Sequence, residues 1–189
     1  ALAALSLSLA LALPPRAEAA ELDIAAREGL VIDMDTGAVL LSKNPDQPTP
    51  PASMLKLMTL TMVFEALEEG RLKLDDTFLV SEKAWRMGGS KMFVKVGERV
   101  SIEDLIRGVI VLSGNDACIV LAEGLAGSEE AFARRMTDRA RELGMHSTFG
   151  NATGWPDPDN SMTPRDLVYL AKRMIAEHPE FYQYFAETD

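Results

Sequence analysis

Two residues, Ser53 and Lys56, have the types and the spacing that nucleophilic catalysis requires. Three positions apart at the start of a predicted helix, their side chains share one face and can touch. A serine hydroxyl needs a neighbouring base, and a lysine can serve only if its pKa is lowered. The helix dipole and the apolar neighbours Met54, Leu55 and Leu57 would both lower it. An N-capping serine followed by a solvated lysine has the same pattern, so the pair alone decides nothing.

A second group, Ser113-Gly114-Asn115, lies between two apolar stretches that both have helical character. A turn that directs a hydroxyl and an amide to one place in an apolar environment predicts a polar cleft, because buried polar groups need partners. The alternative is an ordinary loop in which Asn115 or Asp116 caps the next helix. Ser42-Lys43-Asn44 has the same Ser-x-Asn pattern but adjoins a proline-rich loop, and we discard it.

The first part of the chain must position Ser53. Two β-rich runs around Thr36-Gly37 predict a hairpin over 30–41, and the four prolines of 44–51 predict a rigid loop. Apolar residues at helical spacing then predict a helix over 53–69. A short strand is expected within 75–81 and a loop at 87–90.

The rest of the chain reads as a helical block. The sequence predicts four helices with boundary signals at Ser101, Ser128, Thr163-Pro164 and Gly144. They are expected over 101–112, 117–126, 128–143 and 163–177. A β-hairpin followed by such a block indicates an α+β fold.

Composition excludes several classes of protein. The chain has 189 residues, with 19 Lys and Arg against 29 Asp and Glu, for a formal net charge of −10. A nucleic-acid binder needs a basic face, so no nucleic acid partner is expected. The single cysteine, Cys118, excludes an intramolecular disulfide. Its apolar surroundings favour a buried structural thiol over a nucleophile paired with His146 or His178, whose spacing also suits no metal site.

The N-terminus predicts export. Residues 1–13 form an uncharged apolar run that is too short to span a bilayer and is followed by Pro14-Pro15-Arg16. Ala17-Glu18-Ala19 supplies small residues for a signal peptidase, so residues 1–19 are interpreted as a signal peptide and the mature protein as starting near Ala20. We therefore expect an exported protein, which in a bacterium means the periplasm or the outer face of the cytoplasmic membrane.

The motifs together resemble a known family. Ser53-x-x-Lys56 followed about sixty residues later by Ser113-Gly-Asn115 resembles the active-site set of penicillin-recognising serine enzymes. Three longer runs resemble the serine-type D-alanyl-D-alanine carboxypeptidases, the low-molecular-weight penicillin-binding proteins. These runs are GGSKMFVKVGERVS (88–101), LIRGVIVLSGNDACIVLAE (105–123) and GNATGWPDPDNSMTPRDLVYLA (150–171). The resemblance implies a β-lactamase/transpeptidase-like fold, an antiparallel sheet flanked by a helical subdomain.

The same resemblance implies roles for four residues. Ser53 would attack the bond between two terminal D-alanines of a peptidoglycan stem pentapeptide, and Lys56 would take its proton. Ser113 would pass a proton to the departing amine, and Asn115 would bind the substrate backbone and help to hold Lys56. The backbone N–H of Ser53 would form half of an oxyanion hole. β-Lactams would acylate Ser53, and no metal or other cofactor is expected.

One motif of the family is missing from the chain. No lysine is followed by Ser or Thr and then Gly, although the family carries Lys-Thr-Gly on a strand beside the site. Residues 20–189 are therefore interpreted as the N-terminal part of the peptidase domain, truncated before the later strands and inactive and unstable alone. The missing part is expected to supply this motif, and a C-terminal segment could attach the protein peripherally to the inner membrane.

Two rival functions remain open at this stage. A serine β-lactamase of the same fold would need a carboxylate that activates water, but the Glu-x-x-Leu-Asn pattern does not occur. A non-catalytic penicillin- or peptidoglycan-binding relative would have lost Ser53 or Lys56, and the chain retains both.

Overall fold

The computed structural model describes residues 24–188, so the predicted signal peptide and cleavage site lie outside the described residues. The predicted hairpin is present. Strands β1 (Gly29–Ile32) and β2 (Val39–Lys43) are antiparallel, with Gly29 paired to Lys43. A second antiparallel pair consists of β3 (Thr77–Leu79), within the segment predicted as a strand, and β4 (Arg99–Ser101).

Helices make up most of the remaining structure. In chain order they are α1 (Lys56–Glu68), α2 (Glu82–Arg86), α3 (Ile102–Leu112), α4 (Asn115–Ala126), α5 (Glu129–Glu142), α6 (Pro164–Glu177) and α7 (Pro179–Tyr182). Short 3-10 turns precede α1 and follow α7. Helices α2 and α7 were not predicted, because each is at most five residues long and has too few turns for a periodic pattern. No helix among residues 24–188 is long and apolar enough to cross a membrane.

Three of the predicted helix starts are confirmed in detail. Ser101, Ser128 and Thr163 are the N-caps of α3, α5 and α6. Each side-chain oxygen accepts the backbone N–H three residues further on, at 3.0–3.1 Å. These contacts satisfy amide groups that a helix start leaves without partners. Because the signal is local, sequence alone located it.

Helix α4 is the central element of the helical block. It packs against α1, α2, α3 and α5 and against strand β3. Every residue from Asn115 to Ala122 is buried. The helix begins at Asn115, not at Ala117 as predicted, and Gly114 occupies the N-cap position without a side-chain bond. The turn between α3 and α4 is therefore only two residues long, and the idea that Asn115 or Asp116 caps the helix is wrong.

Candidate active site

Ser53 lies at the start of helix α1 but not inside it. The predicted helix over 53–69 is present, but residues 52–55 form a 3-10 turn and the α-helix itself begins at Lys56. Ala52, the first residue of this turn, is left-handed, with φ +48°, so a regular α-helix cannot extend back through it. The turn still brings Ser53 beside Lys56. It leaves the serine exposed while the lysine is only 4% exposed.

The buried amine of Lys56 contacts three oxygen atoms. Its Nζ lies 3.2 Å from Ser53 Oγ, 2.8 Å from Asn115 Oδ1 and 2.7 Å from the Thr153 carbonyl oxygen. None of these oxygens carries a formal charge, and no carboxylate in the described part of the chain forms an ion pair with Lys56. Burial removes water from the amine and lowers the pKa of Lys56 below its ordinary value. The lowered pKa was predicted from sequence, and the cause is desolvation.

These contacts suit a neutral amine. A neutral lysine has two N–H donors and one lone pair, and the Asn115 and Thr153 oxygens can accept both N–H groups. The lone pair is then available to the hydroxyl of Ser53, which can rotate to donate its proton. Lys56 is therefore placed to act as a base toward Ser53.

Asn115 connects the amine to the loop that follows α2. Its Oδ1 accepts from Lys56, and its Nδ2 donates to the Gly88 carbonyl at 2.9 Å. Its backbone N–H donates to the Ser90 carbonyl at 2.8 Å. The predicted contact with Lys56 is confirmed. The contact with Gly88 was not predicted and occupies one of the two amide N–H donors.

Ser113 is the third predicted residue in the same cleft. It ends α3 in a left-handed conformation, with φ +53°, and is half-buried. It lines a cleft of about 320 Å³ together with Ser53 and Lys56. Phe185, near the end of the described residues, lines the cleft as well. Met54 also borders the cleft and is 53% exposed, so it contributes less to the burial of Lys56 than the sequence suggested.

The segment 150–155 forms another side of the site. Asn151 Oδ1 accepts the backbone N–H groups of Thr153 and Gly154, at 3.1 and 2.9 Å, and this turn fixes the carbonyl that contacts Lys56. Gly154 has φ +80°, and a Cβ at this position would overlap the Ala52 carbonyl oxygen. Glycine at 154 is therefore required for the turn to lie against the backbone next to Ser53.

Sequence reasoning missed Thr153 as a member of the site. Its carbonyl acts through the backbone, so no side-chain pattern marks it, and it lies 97 positions from Lys56. The only signal available was the run from Gly150, which resembled the family without indicating what it contacts.

Cys118 is fully buried in α4, as predicted. Burial raises the pKa of its thiol to about 12, so the thiolate that a nucleophile requires is scarcely populated at neutral pH. Among residues 24–188, no three or more His, Cys, Asp or Glu side chains are grouped so that they could hold a metal ion.

Comparison with known proteins decides the family. The family described as D-alanyl-D-alanine carboxypeptidase, Peptidase_S11, matches residues 15–189. The chain belongs to this family. The family expected from the motifs is thereby confirmed.

Among curated relatives of the family, the carboxypeptidase DacF of Bacillus subtilis (strain 168) is 38% identical over 82% of this chain and 40% of its own length. DacC of Escherichia coli (strain K12) is 40% identical over 87% of this chain and 43% of its own length. The chain thus spans about two fifths of the relatives that it matches.

Solved structures confirm the expected fold. The carboxypeptidase DacD from Francisella tularensis superposes with a TM-score of 0.86 at 36% identity, covering 90% of this chain and 41% of that protein. Penicillin-binding protein 5 from Haemophilus influenzae superposes with a TM-score of 0.82 at 34% identity, covering 93% of this chain and 50% of that protein. The penicillin-binding protein fold is therefore shown for this chain.

Proposed function

We propose that the full-length protein containing this chain is a serine-type D-alanyl-D-alanine carboxypeptidase. It would remove the terminal D-alanine from peptidoglycan stem pentapeptides. The observation that carries the proposal is the position of Lys56 Nζ, 3.2 Å from Ser53 Oγ, with uncharged oxygens for its two N–H groups. This arrangement supplies an exposed hydroxyl with a buried base, as acyl transfer through a serine requires.

Acylation begins when Ser53 Oγ attacks the carbonyl carbon of the penultimate D-alanine and its proton passes to Lys56 Nζ. The backbone N–H of Ser53 donates to the oxygen that becomes negative. The C–N bond then breaks, and the leaving amine of the terminal D-alanine takes a proton through Ser113, which lines the same cleft. The products of this half-reaction are free D-alanine and an ester on Ser53.

Hydrolysis of the ester uses the same groups in reverse. A water molecule loses a proton to Lys56 as it attacks the ester carbonyl, and Ser53 Oγ recovers a proton when the ester bond breaks. Asn115 keeps Lys56 in place through its Oδ1 atom. We expect its free amide N–H to bind the substrate backbone. Lys56 therefore acts as the base in both half-reactions, and the cycle needs no metal or other cofactor.

The direct test is D-alanine release by the full-length protein. Incubation with a muropeptide that carries a pentapeptide stem should release one D-alanine per stem, and the Ser53→Ala variant should release none. Cleavage of nitrocefin without D-alanine release would instead support a β-lactamase. Binding of penicillin without turnover of either substrate would support a non-catalytic relative.

The same serine should react with β-lactams. The structure of penicillin-binding protein D2 from Listeria monocytogenes is of the ampicillin-bound form, and its fold is similar to that of this chain, with a TM-score of 0.73. We expect ampicillin to add its mass to the full-length protein and not to Ser53→Ala. Intact-mass spectrometry measures this adduct, and an unmodified wild-type protein would contradict the proposal.

We further propose that the protein is exported and acts outside the cytoplasmic membrane, held peripherally by a segment that follows this chain. The apolar run of 1–13 and the small residues of 17–19 support export. N-terminal sequencing of the protein from a membrane and periplasm fraction should give a start near Ala20. Release of the protein from membranes by deletion of the following segment would support the attachment, and an unprocessed N-terminus would contradict export.

A further inference from the structure

Asp116 is a fully buried carboxylate beside the proposed site. Its Oδ1 accepts the backbone N–H groups of Met92 and Ala117, each at 3.0 Å. Its Oδ2 accepts those of Phe93 and Val94, at 2.9 and 3.2 Å. Three of the four donors belong to one loop, which lies more than twenty residues earlier in the chain. The carboxylate therefore anchors that loop to the start of α4.

The anchored loop has a strained backbone. Phe93 adopts a left-handed conformation, with φ +64°, and its side chain is 77% exposed. This conformation is unfavourable for a bulky residue, and an exposed side chain gains little packing energy to offset the strain. The N–H groups of Phe93 and Val94 both donate to the same oxygen of Asp116. The loop path thus depends on this carboxylate.

The same loop also orients Asn115. The Ser90 carbonyl accepts the Asn115 backbone N–H, and the Gly88 carbonyl accepts its Nδ2. The other end of the Asn115 amide accepts from Lys56. The backbone of the loop therefore joins the hydrogen bonds of Asp116 to those of Asn115, which in turn contacts the proposed base.

We propose that Asp116 is a positioning residue for the reaction at Ser53: it fixes the loop 88–94 and, through the loop, the orientation of Asn115 and Lys56. This inference rests on the proposed function. Asp116 would act without contacting the substrate or Ser53.

Asp116→Asn tests the inference with almost no change in size. An asparagine has one acceptor oxygen, and its NH₂ group would face two backbone N–H groups that need an acceptor. Half of the anchor is lost, and the strained loop is free to relax. Water then reaches Lys56 more easily, so its pKa should rise toward the ordinary lysine value.

Asp166 provides a matched control. It is also buried in the first turn of a helix, and its Oδ2 accepts the His146 backbone N–H at 3.1 Å and the Ser147 hydroxyl at 2.8 Å. These partners are not among the residues that contact Lys56. Both contacts use one carboxylate oxygen, which the carbonyl oxygen of an asparagine can replace, so Asp166→Asn should keep them and leave the reaction at Ser53 unchanged.

The first measurement is acylation of the full-length protein by a fluorescent penicillin. For Asp116→Asn we expect the acylation rate constant to fall about 10²-fold, the loss that a displacement of about 1 Å can cause. For Asp166→Asn we expect the wild-type rate. Equal rates in the two variants, at a temperature where both are folded, would overturn the inference.

The second measurement does not need catalysis. In full-length protein with ¹³C-labelled lysine, the Lys56 signal is assigned by its loss in Lys56→Met and is titrated by NMR. Its pKa should rise in Asp116→Asn and stay unchanged in Asp166→Asn. An unchanged titration in Asp116→Asn overturns the inference whether or not the wild type is active. A wild type that binds no penicillin and releases no D-alanine instead refutes the proposed function.

A double variant guards against misfolding of Asp116→Asn. Glycine adopts the left-handed conformation without strain, so Phe93→Gly lets the loop keep its path with a weaker anchor. Asp116→Asn combined with Phe93→Gly should recover part of the melting temperature, and its Lys56 titration should lie nearer to that of the wild type. A Lys56 titration unaffected by Phe93→Gly in this background would contradict the role of the loop.

Discussion

The two ends of helix α1 hold their charged side chains in opposite ways. At its first residue, Lys56 contacts three uncharged oxygens. Nine positions further on, Glu65 forms a double hydrogen bond with the guanidinium of Arg139, and Arg173 Nη1 lies 3.2 Å away. Burial lowers the pKa of Lys56, whereas the hydrogen bond to Glu65 raises the pKa of Arg139.

The charge of the partner decides whether a buried ionisable group can exchange protons or instead stabilises the fold. A buried ionisable group that has an opposite charge as partner keeps its charge and holds elements together. One with neutral partners loses part of the preference for its charged form and can exchange protons. Glu65 joins α1 to α5 and α6, while Lys56 stays available to Ser53. One helix thus carries both an ion-paired end and the proposed base.

The largest expected effect comes from removing the amine. Lys56→Ala should lower the rate of acylation by ampicillin about 10³-fold, because Ser53 loses its base. The fold should remain intact, because no ion pair is broken. Mass spectrometry over time measures the adduct, and thermal unfolding provides the control. Acylation at the wild-type rate would remove Lys56 from the proposed role.

Neutralising Glu65, near the other end of α1, should lower stability without changing acylation. Glu65→Gln leaves two guanidinium groups without their carboxylate and should lower the free energy of unfolding by about 2 kcal/mol. The effect is below that of a fully buried pair, because the Arg139 side chain is 29% exposed. Urea unfolding of the full-length protein measures it. A loss of acylation in this variant at temperatures where it is folded would show that the two ends are not independent.

The pH dependence of acylation tests whether the uncharged partners of Lys56 leave it with a lowered pKa. In the proposed mechanism the neutral amine is the base, so the rate constant should rise about tenfold per pH unit below the Lys56 pKa and level off above it. Since burial lowers this pKa, the midpoint should lie below the ordinary lysine value of 10.5. Rates measured across pH in full-length protein test this. A midpoint at or above 10.5 would indicate a hydrated amine.

The smallest expected effect concerns the next acidic residue along α1. Glu68 Oε1 lies 2.7 Å from Nδ1 of the buried His178, but the Glu68 side chain is 43% exposed. Glu68→Gln keeps an oxygen in this position and should cost only about 0.5 kcal/mol, as for a solvent-screened pair. Urea unfolding of Glu68→Gln and Glu65→Gln in parallel compares the two losses of unfolding free energy. A loss as large as that of Glu65→Gln would mean that exposure does not decide the effect here.

The sequence by itself determined the features that depend on neighbouring residues. The hairpin, the caps at Ser101, Ser128 and Thr163, and the burial of Cys118 follow from local patterns, and the structure contains each of them. The spaced motifs around Ser53 and Ser113 also sufficed to indicate the family. They identified the residue types that the chemistry needs, without giving the contacts between them.

Only the tertiary structure decided how the amine is held. The two carbonyl-type oxygens that contact Lys56 come from positions 59 and 97 residues further along the chain. The Thr153 contact is a backbone carbonyl, which has no side-chain signature. The sequence indicates Asp116 only as a candidate helix cap, whereas in the structure its carboxylate accepts four backbone N–H groups. Desolvation and hydrogen bonding depend on what packing brings within about 3 Å. Local sequence patterns do not encode such distances.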